Sequence, residues 1–274
     1  MTLNVSEIHC QNLTYKVQSI PLLEEINSTF NSGEISVILG KNGAGKSTWL
    51  SLLSKELEPS SGHIFLQDTE LESCSFAELA LQRAVLPQLQ NMVFSLRVQQ
   101  LVKLGAEVQQ KPNHTSLITQ AVMQVCDIEH LAERDVVTLS GGEQKRVQLA
   151  RVLAQIWPFE ALQANQTKPF AGKWLFLDEW TSSLDLHHQQ LLASNFKSWA
   201  QQGLGIVMVL HDLNLTSQLA DKVKILKAAK LVSEGRTKAV LTPENIFQTL
   251  ELKTLAVDID GIKQPMILPV LESE

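Results

Sequence analysis

Apolar residues fall in short, nearly continuous runs at wide spacing: Ile35 to Leu39, Ala84 to Leu86, Trp174 to Leu177 and Gly205 to Leu210. Each run gives way to Gly, polar or acidic positions, the pattern of strands buried on both faces of a parallel sheet. Between them the period becomes helical, over Lys46 to Leu57, Glu143 to Trp157 and Leu186 to Gln201. In the second of these, Val147, Ala150, Arg151, Ala154 and Trp157 share one face at i, i+3, i+4 spacing. This alternation predicts an α/β fold, a mostly parallel sheet with helices on both faces.

Other stretches read differently. Residues 3–35 hold short alternating strands broken at Pro21 and Gly33, which predicts an N-terminal antiparallel β subdomain. Residues 95–138 are mostly helical with polar loops, as expected of a helical lobe inserted into the sheet protein. Residues 158–173, carrying Pro158 and Pro169, read as a polar surface loop of unusual length. From Pro243 the chain reads as one weak helix followed by irregular structure. The expected organisation is a single domain over 1–240 with a C-terminal extension over 241–274. No fixed-period repeat is visible, which excludes a solenoid.

Composition acts mainly by exclusion. A chain of 274 residues, 44% hydrophobic and 19% charged, is long enough to bury a substantial core and too apolar for disorder. The net charge of −6 argues against a nucleic-acid-binding surface, which wants a basic stripe. Cys10, Cys74 and Cys126 are scattered and form no CxxC pair, as expected of buried free thiols in a reducing compartment. The opening residues show no basic stretch followed by an apolar core, so no secretory signal is read there. The most apolar window, Leu204 to Leu210, falls far short of the ~20 residues a spanning helix needs. The expectation is a soluble, cytosolic protein unless a partner holds it at a membrane.

Candidate chemistry is concentrated in three places. Gly40, Lys41, Asn42, Gly43, Ala44, Gly45, Lys46, Ser47 and Thr48 spell GxxxxGK[ST] between a predicted strand and a predicted helix. Glycines there let the backbone wrap closely around phosphate oxygens, the helix N-terminus favours anions, and Lys46 adds a point charge. Ser47 is placed to offer its hydroxyl to Mg²⁺. The strand Leu175 to Asp178 ends in two adjacent carboxylates. Strand side chains alternate faces, so Asp178 and Glu179 can do different work. Asp178 suits support of Mg²⁺, and Glu179 can orient and deprotonate an attacking water. In Leu139 to Arg151, LSGGEQKRVQLAR, Ser140 as N-cap with Gly141 and Gly142 opens a second helix N-terminus able to take an anion. One nucleotide rarely needs two such sites in one chain. A second site that caps the γ-phosphate held by another copy's Lys46 resolves the excess.

These motifs, in this order, resemble the ATP-binding-cassette ATPases over about residues 3–240. The resemblance implies ATP and Mg²⁺ as ligands, hydrolysis of ATP, and a homodimer as the working unit. It implies that Tyr15 stacks on adenine, worth ~1–3 kcal/mol. Gln88 would touch Mg²⁺ and join the core to the helical lobe, Ser183, Leu184 and Asp185 would cross the dimer interface, and His211 would sense the γ-phosphate. Two positions depart from the pattern. Trp180 stands where the family usually has proline, so either the geometry of Glu179 loosens with loss of a fixed φ, or Trp180 simply packs. The signature reads LSGGE where LSGGQ is commonest.

Within the family, LARVLAQIW, the insertion before Trp174 and SSLDLHHQQ resemble the haem-importer ATPases. Siderophore- and cobalamin-importer ATPases are close alternatives. That resemblance implies two membrane permease subunits as partners, a periplasmic binding protein as an indirect one, and a peripheral place on the cytoplasmic side of the inner membrane. Residues 89–110 and the surface near Gln88 would meet the permeases. His187 and His188 are not read as haem ligands, because they open a polar-faced helix beside the ATP interface. The absence of long heptads between Lys46 and Leu139 argues against a chromosome-maintenance ATPase, and one copy of each motif argues against a tandem ribosomal cassette.

Overall fold

The computed structural model describes residues 6–88, 95–163, 166–260 and 264–270. The chain opens with two long antiparallel strands, β1 (Glu7–Val17) and β2 (Ile20–Asn31), joined by a turn in which Gln18 and Ser19 both take positive φ. They pair further with β4 (Ser61–Leu66) and β5 (Thr69–Glu70) in a four-stranded antiparallel sheet of order β2-β1-β4-β5. The sequence pattern predicts three short strands here, but Pro21 does not break the second. It lies one residue inside β2 near the hairpin end, where a missing N–H is tolerated. Residues 3–5 of the expected first strand lie outside the described residues.

The second sheet has order β10-β9-β3-β8-β7-β6. Its members are β3 (Ile35–Gly40), β6 (Arg83–Leu86), β7 (Trp174–Asp178), β8 (Gly205–Val209), β9 (Lys222–Lys227) and β10 (Lys230–Arg236). All adjacent pairs are parallel except β9 with β10 at the edge. Every residue of β3, β7 and β8 is buried, which is why these strands read as continuous apolar runs. The two sheets meet around Lys224 of β9. Its ammonium, 3% exposed, bonds Ser28 Oγ at 2.6 Å and Glu234 at 2.8 Å and stands 4.5 Å from the centre of the Phe30 ring. A buried cation is tolerable only because those partners replace its water.

Helices α1 (Lys46–Leu53) and α2 (Phe76–Gln82) follow β3 and β5. The first ends four residues before the expected Leu57: Lys55 turns left-handed at φ 56°, and the Glu56 N–H closes back on Ser51 O at 2.8 Å. The helical lobe contains α3 (Val98–Glu107) and α4 (Pro112–Val125), packed against α5 (Gly141–Ile156). The polar stretch around residue 112 is not all loop, since Pro112 supplies the fixed φ that opens α4. Helix α6 (Leu186–Gln201) matches its expected bounds, and α7 (Leu213–Leu219) and α8 (Thr237–Val240) follow.

Two further expectations are corrected. The 158–173 stretch is anchored rather than a simple surface loop: Phe170 is buried edge-to-face against Trp157, 5.2 Å between centroids. The tail is not irregular. After α9 (Pro243–Leu250), strands β11 (Thr254–Val257) and β12 (Met266–Pro269) form an antiparallel hairpin. Asn214 of α7 exchanges two hydrogen bonds with the Ile267 backbone, at 2.7 and 3.0 Å, and Ile267 joins the main core. Cys10 and Cys126 are buried free thiols as expected, burial pushing Cys10 up to about 12, while Cys74 is only half-buried. Among the described residues no helix is long and apolar enough to cross a membrane.

Candidate functional site

The loop from Gly40 to Gly45 leaves the C-terminal end of β3 and enters α1. Two of its glycines are obligatory here. At Gly45, φ is +99° and a Cβ would stand 2.2 Å from Leu22 O; at Gly40 it would stand 2.5 Å from Leu226 O. Lys46, 6% exposed, folds back over the loop and donates to Gly40 O at 2.9 Å and Lys41 O at 3.0 Å. Burial lowers its pKa, against the pull of Glu179 and Asp178. The loop therefore holds a cation against the carbonyl oxygens of its first two residues.

A cleft of ≈ 370 Å³ is lined by Leu22, Asn42, Gly43, Gly45, Lys46, Ser47, Thr48, Gln88 and Glu179. It brings the phosphate loop together with two residues distant in sequence. Glu179 gives one carboxylate oxygen to His211 Nε2 at 2.7 Å and the other to Gln88 Nε2 at 2.6 Å. Its backbone sits at φ +47°, and Ser182 accommodates that turn by donating Oγ–H to Glu179 O at 2.9 Å. Asp178, one residue earlier, faces inward. It is 6% exposed, receives a hydrogen bond from Ser47, and its Oδ1 is buried without a partner. Burial raises its pKa. An orphaned carboxylate oxygen beside a serine hydroxyl is a donor set that fits Mg²⁺, a hard cation that takes oxygen ligands and keeps several waters.

Trp180 packs. It is 1% exposed and meets Phe196 edge-to-face at 5.0 Å, so the residue that replaces the usual proline is a core side chain.

Other predicted residues stand apart from this cleft. Tyr15 lies on β1 opposite Leu23, part-buried against the N-terminal core, and does not line the cleft. The Lys41 side chain pairs with Glu251 at the end of α9, which also takes Lys227 at 3.2 Å; only the backbone of Lys41 serves the loop. Ser140 caps α5 in a capping box with Glu143, whose carboxylate accepts the Ser140 N–H at 2.8 Å. Gly141 and Gly142 abut Ser183, where a Cβ on Gly142 would lie 2.7 Å from Ser183 O. Asp185 caps α6. Ser140, Gly141, Gly142 and Asp185, four of the fifteen expected nucleotide-binding residues, do not line the cleft with the phosphate loop of their own chain. Residues 89–94, part of the surface expected to meet permeases, lie outside the described residues.

Lys145 is a site neighbour that sequence reasoning misses. Its ammonium donates to Gln88 O at 3.2 Å, and burial lowers its pKa while Asp178 and Glu179 act to raise it. The signal for it is a lysine in the first turns of a helix, where cations are disfavoured.

The ABC transporter family model matches residues 23–159. The hemin import ATP-binding protein HmuV of Escherichia coli O157:H7 is 41% identical over 259 residues, 94% of this chain and 95% of that protein. The protein of the same name from Gloeobacter violaceus is 40% identical, covering 91% of this chain and 89% of its own. A metal-chelate type ABC transporter solved in an inward-facing conformation superposes with a TM-score of 0.77 over 98% of both chains, at 24% identity.

Proposed function

The chain belongs to the ABC transporter family and is an ATPase of it, and from that premise we propose that it powers hemin import. The cargo rests on relatives named for hemin import at 36–41% identity over nine-tenths or more of the chain. Its partners in this reading are two permease subunits in the membrane, which hold it peripherally on the cytoplasmic face of the inner membrane, and indirectly a periplasmic binding protein. Reconstitution with its membrane permease tests the cargo: hemin should be taken up in an ATP-dependent manner. A siderophore or cobalamin importer is the alternative, and uptake of either in place of hemin would establish it.

The catalytic reading rests on one observation, Glu179 held between Gln88 and His211 at the mouth of the phosphate cleft. Backbone N–H groups of Gly40 to Thr48 and the Lys46 ammonium bind the phosphates of ATP. Ser47, Asp178 and Gln88 would hold Mg²⁺, which when bound supplies charge neutralisation for the phosphate oxygens. Glu179 takes a proton from the attacking water at a carboxylate oxygen, released as His211 or Gln88 turns toward the γ-phosphate. Tyr15, which does not line the phosphate cleft, would stack on an adenine extending out of it. Ser140, Gly141, Gly142 and Asp185 act on the nucleotide of a second copy, so the active unit is a homodimer with two ATP molecules between its halves.

A further inference from the structure

Helix α6 begins on Asp185, whose Oδ1 accepts the backbone N–H of His188 at 2.9 Å. The His188 ring reaches the same oxygen through Nδ1 at 2.8 Å and reaches Asp127 Oδ2 through Nε2 at 3.3 Å. Asp127 follows the end of α4 in a left-handed turn, φ 51°. Its carboxylate also lies 3.4 Å from Arg146 Nη1 of α5, the helix that starts at the signature glycines. The Arg146 side chain is 6% exposed, and Nη1 donates to the Cys126 and Asp127 carbonyls as well. On the same pair of elements, Ser183 O presses against Gly142.

Both partners of His188 are carboxylates, so the ring bridges the Asp185 cap of α6 to the turn after α4. Its charged surroundings are Asp185 on the loop, Asp127 after α4, Arg146 on α5 beyond Asp127, and the neighbouring His187 ring, 5.2 Å between centroids. The Asp185 carboxyl is held below its ordinary range, first by the His188 backbone N–H and then by the ring.

We infer that His188 is a positioning residue that pins the loop Ser182–Asp185 to Asp127 and through it to Arg146 of the signature helix. The loop and the Ser140–Gly142 turn then reach a second copy as one rigid unit. For its consequence this rests on the two-copy site proposed above.

The test compares full-length wild type, His188→Ala, Asp127→Asn and the double variant for ATPase kcat and for ATP affinity by calorimetry. Each single substitution should lower kcat about tenfold, with ATP affinity unchanged within about twofold, and the double should be no worse than either single. Multiplying effects in the double variant, or affinity falling in step with kcat, would each overturn it. Asp127, half exposed, carries the test if His188→Ala does not fold. A Glu179→Gln protein that never dimerises in ATP would overturn the two-copy reading instead, while the kinetics of the single and double variants decide the His188 tie separately.

Discussion

The Nε2 of His211 lies 2.7 Å from Oε1 of Glu179, on the side of the carboxylate opposite to Gln88. Both oxygens of the proposed base are thus engaged, and the base is aimed by residues from two other segments. Glu179→Gln should bind ATP as wild type does and lose turnover by about 10²–10⁴-fold, since the amide keeps the shape and hydrogen bonds but not the basicity. His211→Ala should bind ATP and also turn over slowly. Phosphate release and calorimetry on the same samples separate the two effects, and wild-type turnover in Glu179→Gln would refute the general-base role.

Lys46→Ala should abolish ATP binding, because it removes the buried cation of the phosphate loop together with its two tethers to Gly40 O and Lys41 O. Gly45→Ala should do the same by a different route. Its Cβ would meet Leu22 O at 2.2 Å in a backbone conformation that favours glycine, so the loop must open. Unchanged affinity by calorimetry in either variant would refute the loop assignment.

The phosphate loop and the acidic strand end are legible in sequence because each is local: spacing within nine residues fixes the backbone path, and a fully buried strand reads as an apolar run. What cannot be read there depends on contacts between distant segments. Pro21 reads as a break until the hairpin puts it near an end of β2. Phe170 sits among polar neighbours, and only its fit against Trp157 shows that the stretch is anchored. The β11–β12 hairpin depends on Asn214, 53 residues from Ile267, and the Lys145 contact with Gln88 spans 57 residues. Such pairings leave no periodic trace.

Trp180 illustrates the same limit and carries its own prediction. Sequence leaves open whether it loosens Glu179 or packs; in the structure it is a core residue against Phe196. Replacing it by the family's proline should therefore not speed turnover. Trp180→Pro and Trp180→Ala should both lower Tm, with a loss of about 3–5 kcal/mol for the alanine. A proline variant of undiminished Tm and faster ATPase would show that packing is not its role.

The capping box of α5 gives an acid dependence. The Ser140 backbone N–H, and then its hydroxyl, hold the Glu143 carboxyl below its usual range. A depressed carboxyl contributes stability that is complete above its unfolded pKa and is lost as pH falls through the folded value. Glu143→Gln keeps an acceptor for the Ser140 N–H but does not titrate. The Tm advantage of wild type over Glu143→Gln at neutral pH should therefore shrink on acidification, and Ser140→Ala should cost about 1 kcal/mol at neutral pH. Parallel Tm curves for wild type and Glu143→Gln down through the carboxylate range would exclude this contribution.

The strongest consequence of the geometry is association driven by ATP. Ser140, Gly141 and Gly142 do not line the cleft of their own phosphate loop, yet present a capped helix N-terminus with an adjacent loop packed on it. A second copy related by a two-fold axis would place each such turn over the other's nucleotide. Moving an open–closed equilibrium from 1:99 to 99:1 takes about 5.5 kcal/mol of differential binding. Shared between two sites, that is under ~3 kcal/mol each, within the range of a few charge-assisted hydrogen bonds to a γ-phosphate. ADP lacks that phosphate, so hydrolysis should release the clamp and reset the permease. Light scattering on Glu179→Gln should report a dimer in ATP and a monomer in ADP. Adding Ser140→Arg, which crowds the facing phosphate site, should keep the protein monomeric in both. A monomer in saturating ATP, with binding confirmed by calorimetry, would remove the clamp from the isolated subunit and move the test to the assembled transporter, where permeases raise the local concentration of the two halves.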